Sequence, residues 1–359
     1  MAIKRTDTET FLQLARHHPI LDVRSPAEYA HAHIPGAYNL ALFDNEQRKI
    51  IGTTYKQQSR EKAIKSGLDF FGPRMRLMVD EVEIIAKANG MKKVDSLHDT
   101  DAPILLVHCW RGGMRSNAVA WLLSLYGYNI YLLEGGYKAY RNFVLEQFDR
   151  DYTFNIIGGY TGSGKTYALR QLMGLDLPVI DLEDIAGHKG SAFGGIGKPP
   201  QPSQEMFENL LAKELLALDK DRPAWIEDES QRIGRLNIPL GLWTTMRRSP
   251  VYFLEIPFSS RLNHIIHEYS SLDKEELVNA IERIKKRLGP LETKTAISFL
   301  MEDDIQGCFD ILLSYYDKTY LKSLHNRENI AELLNKIPAY SVDSILNSVK
   351  ILACETVKK

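Results

Sequence analysis

The sequence has little cysteine: Cys109, Cys308 and Cys354 are three among 359 residues, an odd and sparse set. That excludes a disulfide-stapled secreted scaffold and points to a reducing compartment, so a cytoplasmic protein is expected. Charge of either sign is not in excess. Lys and Arg number 45 against 46 Asp and Glu, for a net charge of −1. No global basic field exists to gather nucleic acid, and any polyanion must be held by local patches. Long apolar runs are missing too. Nothing approaches the ~18 uninterrupted apolar residues of a membrane span. Met1 to Arg16 mixes charges with short apolar runs and has no signal-peptide core, so no membrane partner is expected. Internal repeats and low-complexity tracts are absent. What remains is an ordinary globular composition, 44% hydrophobic and 25% charged, which excludes a mainly disordered or collagen-like chain. At roughly 150 residues per domain the length predicts about two domains.

Short apolar strands alternate with amphipathic helices, the pattern of an α/β fold. Ile20 to Val23 reads as a strand, followed by Ser25-Pro26-Ala27-Glu28, a capping box with Pro at the first helical position. Ala37 to Leu40 is a second strand, and Ile104 to Val107 a third, continuous and apolar as a buried parallel strand should be. Arg115 to Leu125 reads as a helix with Ala118, Trp121, Leu122 and Leu125 as its apolar face. Ile130 to Leu133 is a further strand closed by Gly135-Gly136, and a charged helix over Tyr137 to Arg150 leads out. The stretch from Asn45 to Asp101 is long for a connection and reads as a helical insertion, with helical spacing over Arg74 to Ala88. We therefore expect one domain over 1–150 with an insertion at 45–101, and a second over 151–359. The second has strands at Phe154 to Ile157, Pro178 to Asp181, Ala224 to Ile226 and Val251 to Leu254, and is mostly helical from Ser259 onward. Glu275 to Leu288 is one such helix, with Lys285-Lys286-Arg287 at its end, where the helix dipole favours cations.

Cys109 directly follows the third strand, and Trp110-Arg111-Gly112-Gly113-Met114-Arg115-Ser116 leads into the helix. A cysteine between a strand and a helix start sits where unpaired N–H groups converge. Gly112 and Gly113 let the backbone curl so that the amides face the sulfur, and Arg111 and Arg115 add positive charge. Each factor favours thiolate over thiol, so a lowered pKa is expected for Cys109. Cys308 and Cys354 stand in apolar runs and are expected to pack in cores.

Gly159-Tyr160-Thr161-Gly162-Ser163-Gly164-Lys165-Thr166 fits the P-loop pattern G-x-x-x-x-G-K-[ST], after an apolar strand and ahead of a helix at Thr166 to Met173. With Gly near 7% of residues, a chance match in a chain of this length is on the order of 1%. The curl points successive N–H groups into one cavity, Lys165 supplies a point charge, and Thr166 can hold Mg²⁺. Glu227-Asp228-Glu229 stands at a strand end, as a Walker-B acid would, and Asp181 and Glu183 end another strand and can face the same crevice. These five acids are the candidate Mg²⁺ partners. The motif recognises a di- or triphosphate and not the group attached to it: ATP is the commonest ligand, and a prenyl diphosphate would satisfy the same amides.

Two further segments are candidates for contacting a polynucleotide, because they combine basic and aromatic residues. One is the glycine-rich stretch with His188, Lys189 and Phe193. The other is the set Arg232, Arg235, Arg247 and Arg248.

Leu21 to Tyr29, His33 to Ala37, Cys109 to Arg115 and Leu133 to Tyr137 together resemble a rhodanese domain over about residues 5 to 145. The resemblance implies that Cys109 carries a chalcogen, as a persulfide or its selenium equivalent. The long stretch between His33 and Cys109 departs from a minimal rhodanese. A rhodanese domain ahead of a P-loop domain, with Ala186 to Ser191 and Ile226 to Ser230, is similar to the tRNA 2-selenouridine synthase family over nearly the whole chain. Gln57 to Glu61 and Gly67 to Gly72 share that likeness. It implies a transferase acting on wobble 2-thiouridine of tRNA. Sulfur is alkylated from geranyl diphosphate, and selenophosphate then supplies selenium through Cys109 as a selenide or selenyl-cysteine. Arg111 and Arg115 would hold the phosphate end of selenophosphate, Lys165 and the loop amides the departing diphosphate. No tightly bound cofactor is implied, and a selenophosphate-producing enzyme is a candidate partner. Two other readings stay open on the residues alone. One is an ATP-dependent kinase or ligase with a rhodanese sulfur donor, the other a non-catalytic, nucleotide-gated sulfur carrier.

Overall fold

A computed structural model describes residues 3–91, 102–219 and 221–356. The end of the expected insertion, 92–101, and the chain's outermost residues lie outside the described residues. The chain divides into two compact units, Met1–Glu146 and Gln147–Lys359. Among the described residues no helix is long and apolar enough to cross a membrane.

The first unit runs β1 (Ile3–Thr6), α1 (Thr8–Leu14), β2 (Ile20–Asp22), α2 (Pro26–His31), β3 (Tyr38–Asn39), α3 (Asn45–Gln57), α4 (Arg60–Ala88), β4 (Ile104–His108), α5 (Met114–Tyr126), β5 (Asn129–Leu133) and α6 (Gly136–Gln147). Its sheet has the order β1-β5-β4-β2-β3 and every pair is parallel. Leu105, Leu106 and Val107 of the central β4 are fully buried, as a strand covered on both faces requires. The register sets Asp22 beside His108, so β2 and β4 end together and Cys109 emerges at the carboxyl edge of the sheet. The capping box at Ser25 forms: its hydroxyl accepts from the Glu28 N–H, and the Glu28 carboxylate accepts from the Ser25 N–H.

Two expectations for this unit need correction. Helix α5 buries Ser116, Val119, Ala120, Leu122 and Leu123, while Trp121 and Leu125 are half exposed. Of the expected face Leu122 is buried, but Ser116, Val119, Ala120 and Leu123 complete it in place of Trp121 and Leu125. The insertion holds two helices, and α4 begins at Arg60 rather than Arg74. Ser59 caps it by accepting from the Lys62 N–H. Pro73 removes one helical N–H, yet the helix continues because its buried stripe runs through that point, from Ala63 and Phe71 to Met78, Val82 and Ala86.

The second unit runs β6 (Phe154–Gly159), α7 (Lys165–Met173), β7 (Val179–Ile180), α8 (Leu182–Ala186), α9 (Gln204–Ala217), β8 (Ala224–Glu227), β9 (Arg232–Ile233), β10 (Leu236–Asn237), α10 (Leu240–Arg247), β11 (Val251–Glu255), α11 (Phe258–Tyr269), α12 (Lys274–Leu288), α13 (Pro290–Met301), α14 (Ile305–His325), α15 (Ile330–Leu333), β12 (Leu334–Pro338) and α16 (Ser344–Thr356). Its parallel sheet has the order β12-β11-β6-β8-β7, and β9 and β10 form a small antiparallel pair. The mostly helical C-terminal part thus returns a strand to the sheet. Strand β12 buries only Asn335 and Ile337, with Pro at its end, an edge pattern too short and too polar to stand out in the sequence. Helices α11 to α14 close a separate apolar cluster that includes Cys308.

Candidate active sites

Cys109 is held by a loop locked from two sides. Gly113 caps α5, and Gly112 has φ +64°, in the left-handed region. From the other side, α6 brings the N–H groups of Tyr137 and Lys138 onto the carbonyls of Cys109 and Trp110 at 2.8 and 3.0 Å. Gly136, with φ +60°, permits that approach: a Cβ there would lie 2.4 Å from both the Cys109 carbonyl oxygen and the Gly112 nitrogen. Sequence reasoning placed Gly112 and Gly113 at the sulfur but read Gly136 as a strand end and part of the rhodanese likeness, not as a contact of the Cys109 loop.

The sulfur lies 3.2 Å from the Ser116 hydroxyl, which also stands 3.1 Å from the Gly113 carbonyl. Burial pushes the Cys109 thiol up. The Ser116 hydroxyl, the Arg115 charge and the N–H groups of Ser116 and Arg111 outweigh it, and the thiol pKa is lowered. Arg111 therefore acts through its backbone; its side chain is exposed. The Arg115 guanidinium is shared with Glu28, at 2.7 and 3.4 Å. Cys109 itself is only 3% exposed and packs with the apolar core as well as with the loop. Beneath the loop, Arg24 forks onto Asp22 at 2.5 to 3.0 Å and lies over the Tyr137 ring at 3.7 Å. Burial pushes His108, 3.7 Å from Asp22, towards its neutral form.

In the second unit the P-loop turns from β6 into α7. Gly162, with φ +77°, passes so close to α11 that a Cβ would meet Ile265 at 2.8 Å. The Lys165 ammonium donates to the Gly159 carbonyl at 3.1 Å, and the Thr166 hydroxyl donates to Glu183 at 2.8 Å. Ser163 is buried, and its hydroxyl has no hydrogen-bond partner among the described residues. Three supports come from segments whose sequence carries no motif. The buried Arg261 of α11 donates to the Thr161 carbonyl at 3.0 Å and is itself gripped by Asp317 of α14 at 2.9 and 2.7 Å. The Tyr320 hydroxyl accepts from the Gly159 N–H at 3.2 Å and donates to Asp228 at 2.6 Å. Arg327 is ion-paired with the same Asp228.

The candidate acids separate by environment. Asp228 is tied into the loop's support. Asp181 caps α8 and pairs with Arg170 at 3.2 Å. Glu227 is fully buried, accepts from the Leu182 N–H at 3.1 Å, and has one oxygen without a partner among the described residues; burial, Asp181 and Glu183 push it well up. Burial also raises Glu183, against the Thr166 hydroxyl. Burial and Glu183 push Glu229 up to about 8, against the pull of Lys165. No group of three or more His, Cys, Asp or Glu among the described residues is arranged to hold a metal ion unaided. A Mg²⁺ would need the Thr166 hydroxyl and phosphate oxygens, and the crowded, proton-retaining carboxyls fit a cation nearby.

The candidate polynucleotide contacts fare unequally. Phe193 is 4% exposed and packs 6.0 Å from the rings of Tyr269 and Phe309, so it is a core residue and not a stacking platform. His188 is half-buried with Nδ1 unpartnered among the described residues, and Lys189 pairs with Glu268 at 3.4 Å. Arg232 donates to the Gly234 carbonyl at 2.9 Å and Arg235 to the Gln201 carbonyl, both bracing the β9–β10 turn. Arg247 donates to the Ser323 carbonyl at 2.9 Å; Arg248 ends α10 and is exposed.

A cysteine loop at the edge of one parallel sheet and a phosphate loop at the edge of another define a rhodanese-like domain joined to a P-loop domain. A model of the rhodanese-like domain matches residues 7–143, and a model of the tRNA 2-selenouridine synthase AAA domain matches 152–337. The chain is 33% identical to a tRNA 2-selenouridine synthase of Nitrosomonas europaea over 299 residues, covering 81% of this chain and 73% of that one. It is also 33% identical to that of Bdellovibrio bacteriovorus over 359 residues, 86% of this chain and 89% of that one. The corresponding protein of Marinobacter nauticus is 34% identical over 351 residues, 88% of this chain and 91% of that one. The chain belongs to the tRNA 2-selenouridine synthase family.

Proposed function

We propose that this protein is a tRNA-modifying transferase that converts wobble 2-thiouridine to 2-selenouridine in two steps, one at each loop. The observation that carries the reading is the pairing, in one chain of this family, of a thiol with a lowered pKa and a complete P-loop. In the first step the thiouridine sulfur attacks C1 of geranyl diphosphate. A C–S bond forms, the C–O bond breaks, the N3 proton of the base is lost, and diphosphate leaves with the electron pair. Lys165 and the loop N–H groups stabilise that developing charge. A Mg²⁺ held by Thr166, with Glu183 orienting the hydroxyl, would neutralise more of it.

Alkylation turns a poor leaving group into a better one. In the second step selenide attacks C2 of the base and geranylthiolate departs. The Cys109 thiolate attacks the phosphorus of selenophosphate: an S–P bond forms, the Se–P bond breaks, and hydroselenide is released beside the base. Water then cleaves the S–P bond, returning the thiolate and phosphate. Selenium keeps its oxidation state throughout, whereas a selenyl-cysteine would require the removal of two electrons. Arg115 supplies positive charge to the phosphate end.

The test is mass analysis of nucleosides from thiolated tRNA incubated with the protein, geranyl diphosphate and selenophosphate. Cys109→Ala is expected to abolish selenium incorporation and leave S-geranyl nucleoside accumulating. Lys165→Ala is expected to block geranylation. Equal loss of both steps in both folded variants would overturn the division of labour.

A further inference from the structure

A cleft of about 400 Å³ opens in the first unit between α2 and α3. Arg48, Lys49 and Lys56 of α3 line it together with Asn45 and Thr53, and no carboxylate is among the described lining residues. The cations occupy one side of a helix that buries none of its residues. Ile51 of this helix packs against the core while Lys49 and Lys56 are exposed, so packing accounts for the isoleucine and not for the lysines. From Arg48 to Lys56 the row runs about 12 Å at ~1.5 Å per residue, longer than one phosphate group. Lys49 and Lys56 have no ion-pair partner among the described residues.

Two details join the cleft to the chemistry. Arg48 lies 3.5 Å from Glu28, and the same carboxylate oxygen binds Arg115 at 2.7 Å, whose charge favours the Cys109 thiolate. The cleft and the sulfur are therefore linked through one shared carboxylate. Gly52 stands in the middle of α3, where glycine weakens a helix. A Cβ at that position would meet the Arg48 guanidinium at 2.8 Å. The helix carries its least favourable ordinary residue where the arginine lies across the cleft.

We propose that this cleft binds successive backbone phosphates of an RNA strand and so holds the substrate tRNA as its base is presented to Cys109. The proposal rests on the tRNA-modifying reading above. The cationic row and its length favour a polyanion over a single free phosphate.

The experiment measures tRNA binding by the full chain across a salt series, alongside diphosphate binding. Lys49→Ala and Lys56→Ala are each expected to weaken tRNA binding and to reduce the slope of log K against log salt by about one. Diphosphate affinity should be unchanged. Gly52→Ala should weaken tRNA binding while raising the melting temperature, because the new methyl displaces Arg48 and favours the helix. That variant separates loss of the site from loss of the fold. Unchanged slopes in both lysine variants, with wild-type tRNA binding intact, overturn the cleft proposal and leave the functional reading standing. Inorganic phosphate that displaces tRNA at equal phosphate concentration would make it a free-phosphate site and overturn it too. Absence of any salt-dependent tRNA binding by the wild type would instead sink the functional reading.

Discussion

At Cys109 a single hydroxyl proton has two acceptors. Ser116 can donate to the Gly113 carbonyl or to the sulfur, but not fully to both. When the thiol is protonated it can donate to the Ser116 oxygen; when it is ionised, the hydroxyl turns to the thiolate. The pH profile of alkylation by iodoacetamide should therefore have its midpoint below the ordinary thiol value of about 8.5, and Ser116→Ala should move it upward. A profile that Ser116→Ala leaves in place would remove the hydroxyl from the account. The sign for stability follows. A depressed thiol contributes stability above the unfolded value that is lost as pH falls through the folded one. Glu229 works in the opposite sense. Its folded value of about 8 lies above the ordinary glutamate value, so the folded state holds a proton that the unfolded chain releases, and stability falls as pH rises between the two. Glu229→Gln should leave stability unchanged at about pH 4 and raise it progressively up to about pH 8, read from denaturant midpoints. An equal effect at every pH would show that the carboxyl is not held protonated. Cys109 and the P-loop were legible because each lies in one contiguous segment, whereas the contact of the Ser116 hydroxyl with the sulfur was not read although it lies in the same segment. The contacts by which Glu28, Gly136 and Tyr320 complete the loops were not legible, since each reaches its loop from another segment of the chain.

Among elements, α14 has a role that the sequence hides. It falls in the stretch read only as mostly helical, yet Asp317 and Tyr320, three residues apart on one face, both serve the P-loop. One steadies Arg261 and through it Thr161; the other takes up the Gly159 N–H and hands its own proton to Asp228. Tyr320→Phe removes both hydrogen bonds and leaves Asp228 paired with Arg327 alone. At ~1–3 kcal/mol for a buried group left unsatisfied, diphosphate binding is expected to weaken by roughly 5- to 150-fold, with far-UV circular dichroism unchanged. Equal affinity would place Tyr320 among residues that merely fill space. The core strands were readable because buried parallel strands are continuous apolar runs. Helix α5 was readable in extent but not in orientation, because Ser116, Val119 and Ala120 meet the sheet where larger Trp121 and Leu125 were expected to.

In the whole molecule, each loop is completed within its own unit. The groups that ionise and position Cys109, namely Ser116, Arg115, Glu28 and Gly136, all lie in Met1–Glu146. Those that shape the phosphate loop, namely Arg261, Asp317, Tyr320, Glu183 and Asp228, all lie in Gln147–Lys359. Each named group belongs to the unit of the loop it serves, so damage to one loop should leave the other's chemistry intact. The S-geranyl nucleoside is also a stable thioether-like product, able to survive release from one chain and binding to another. Mixing Cys109→Ala with Lys165→Ala should consequently restore selenouridine formation from thiolated tRNA, geranyl diphosphate and selenophosphate, although neither variant makes it alone. The rate should rise with protein concentration, since the modified tRNA must pass between molecules. A mixture that accumulates S-geranyl tRNA but never selenouridine would mean that the second step accepts only a base handed over within one chain, and the two loops would then have to be treated as a single site.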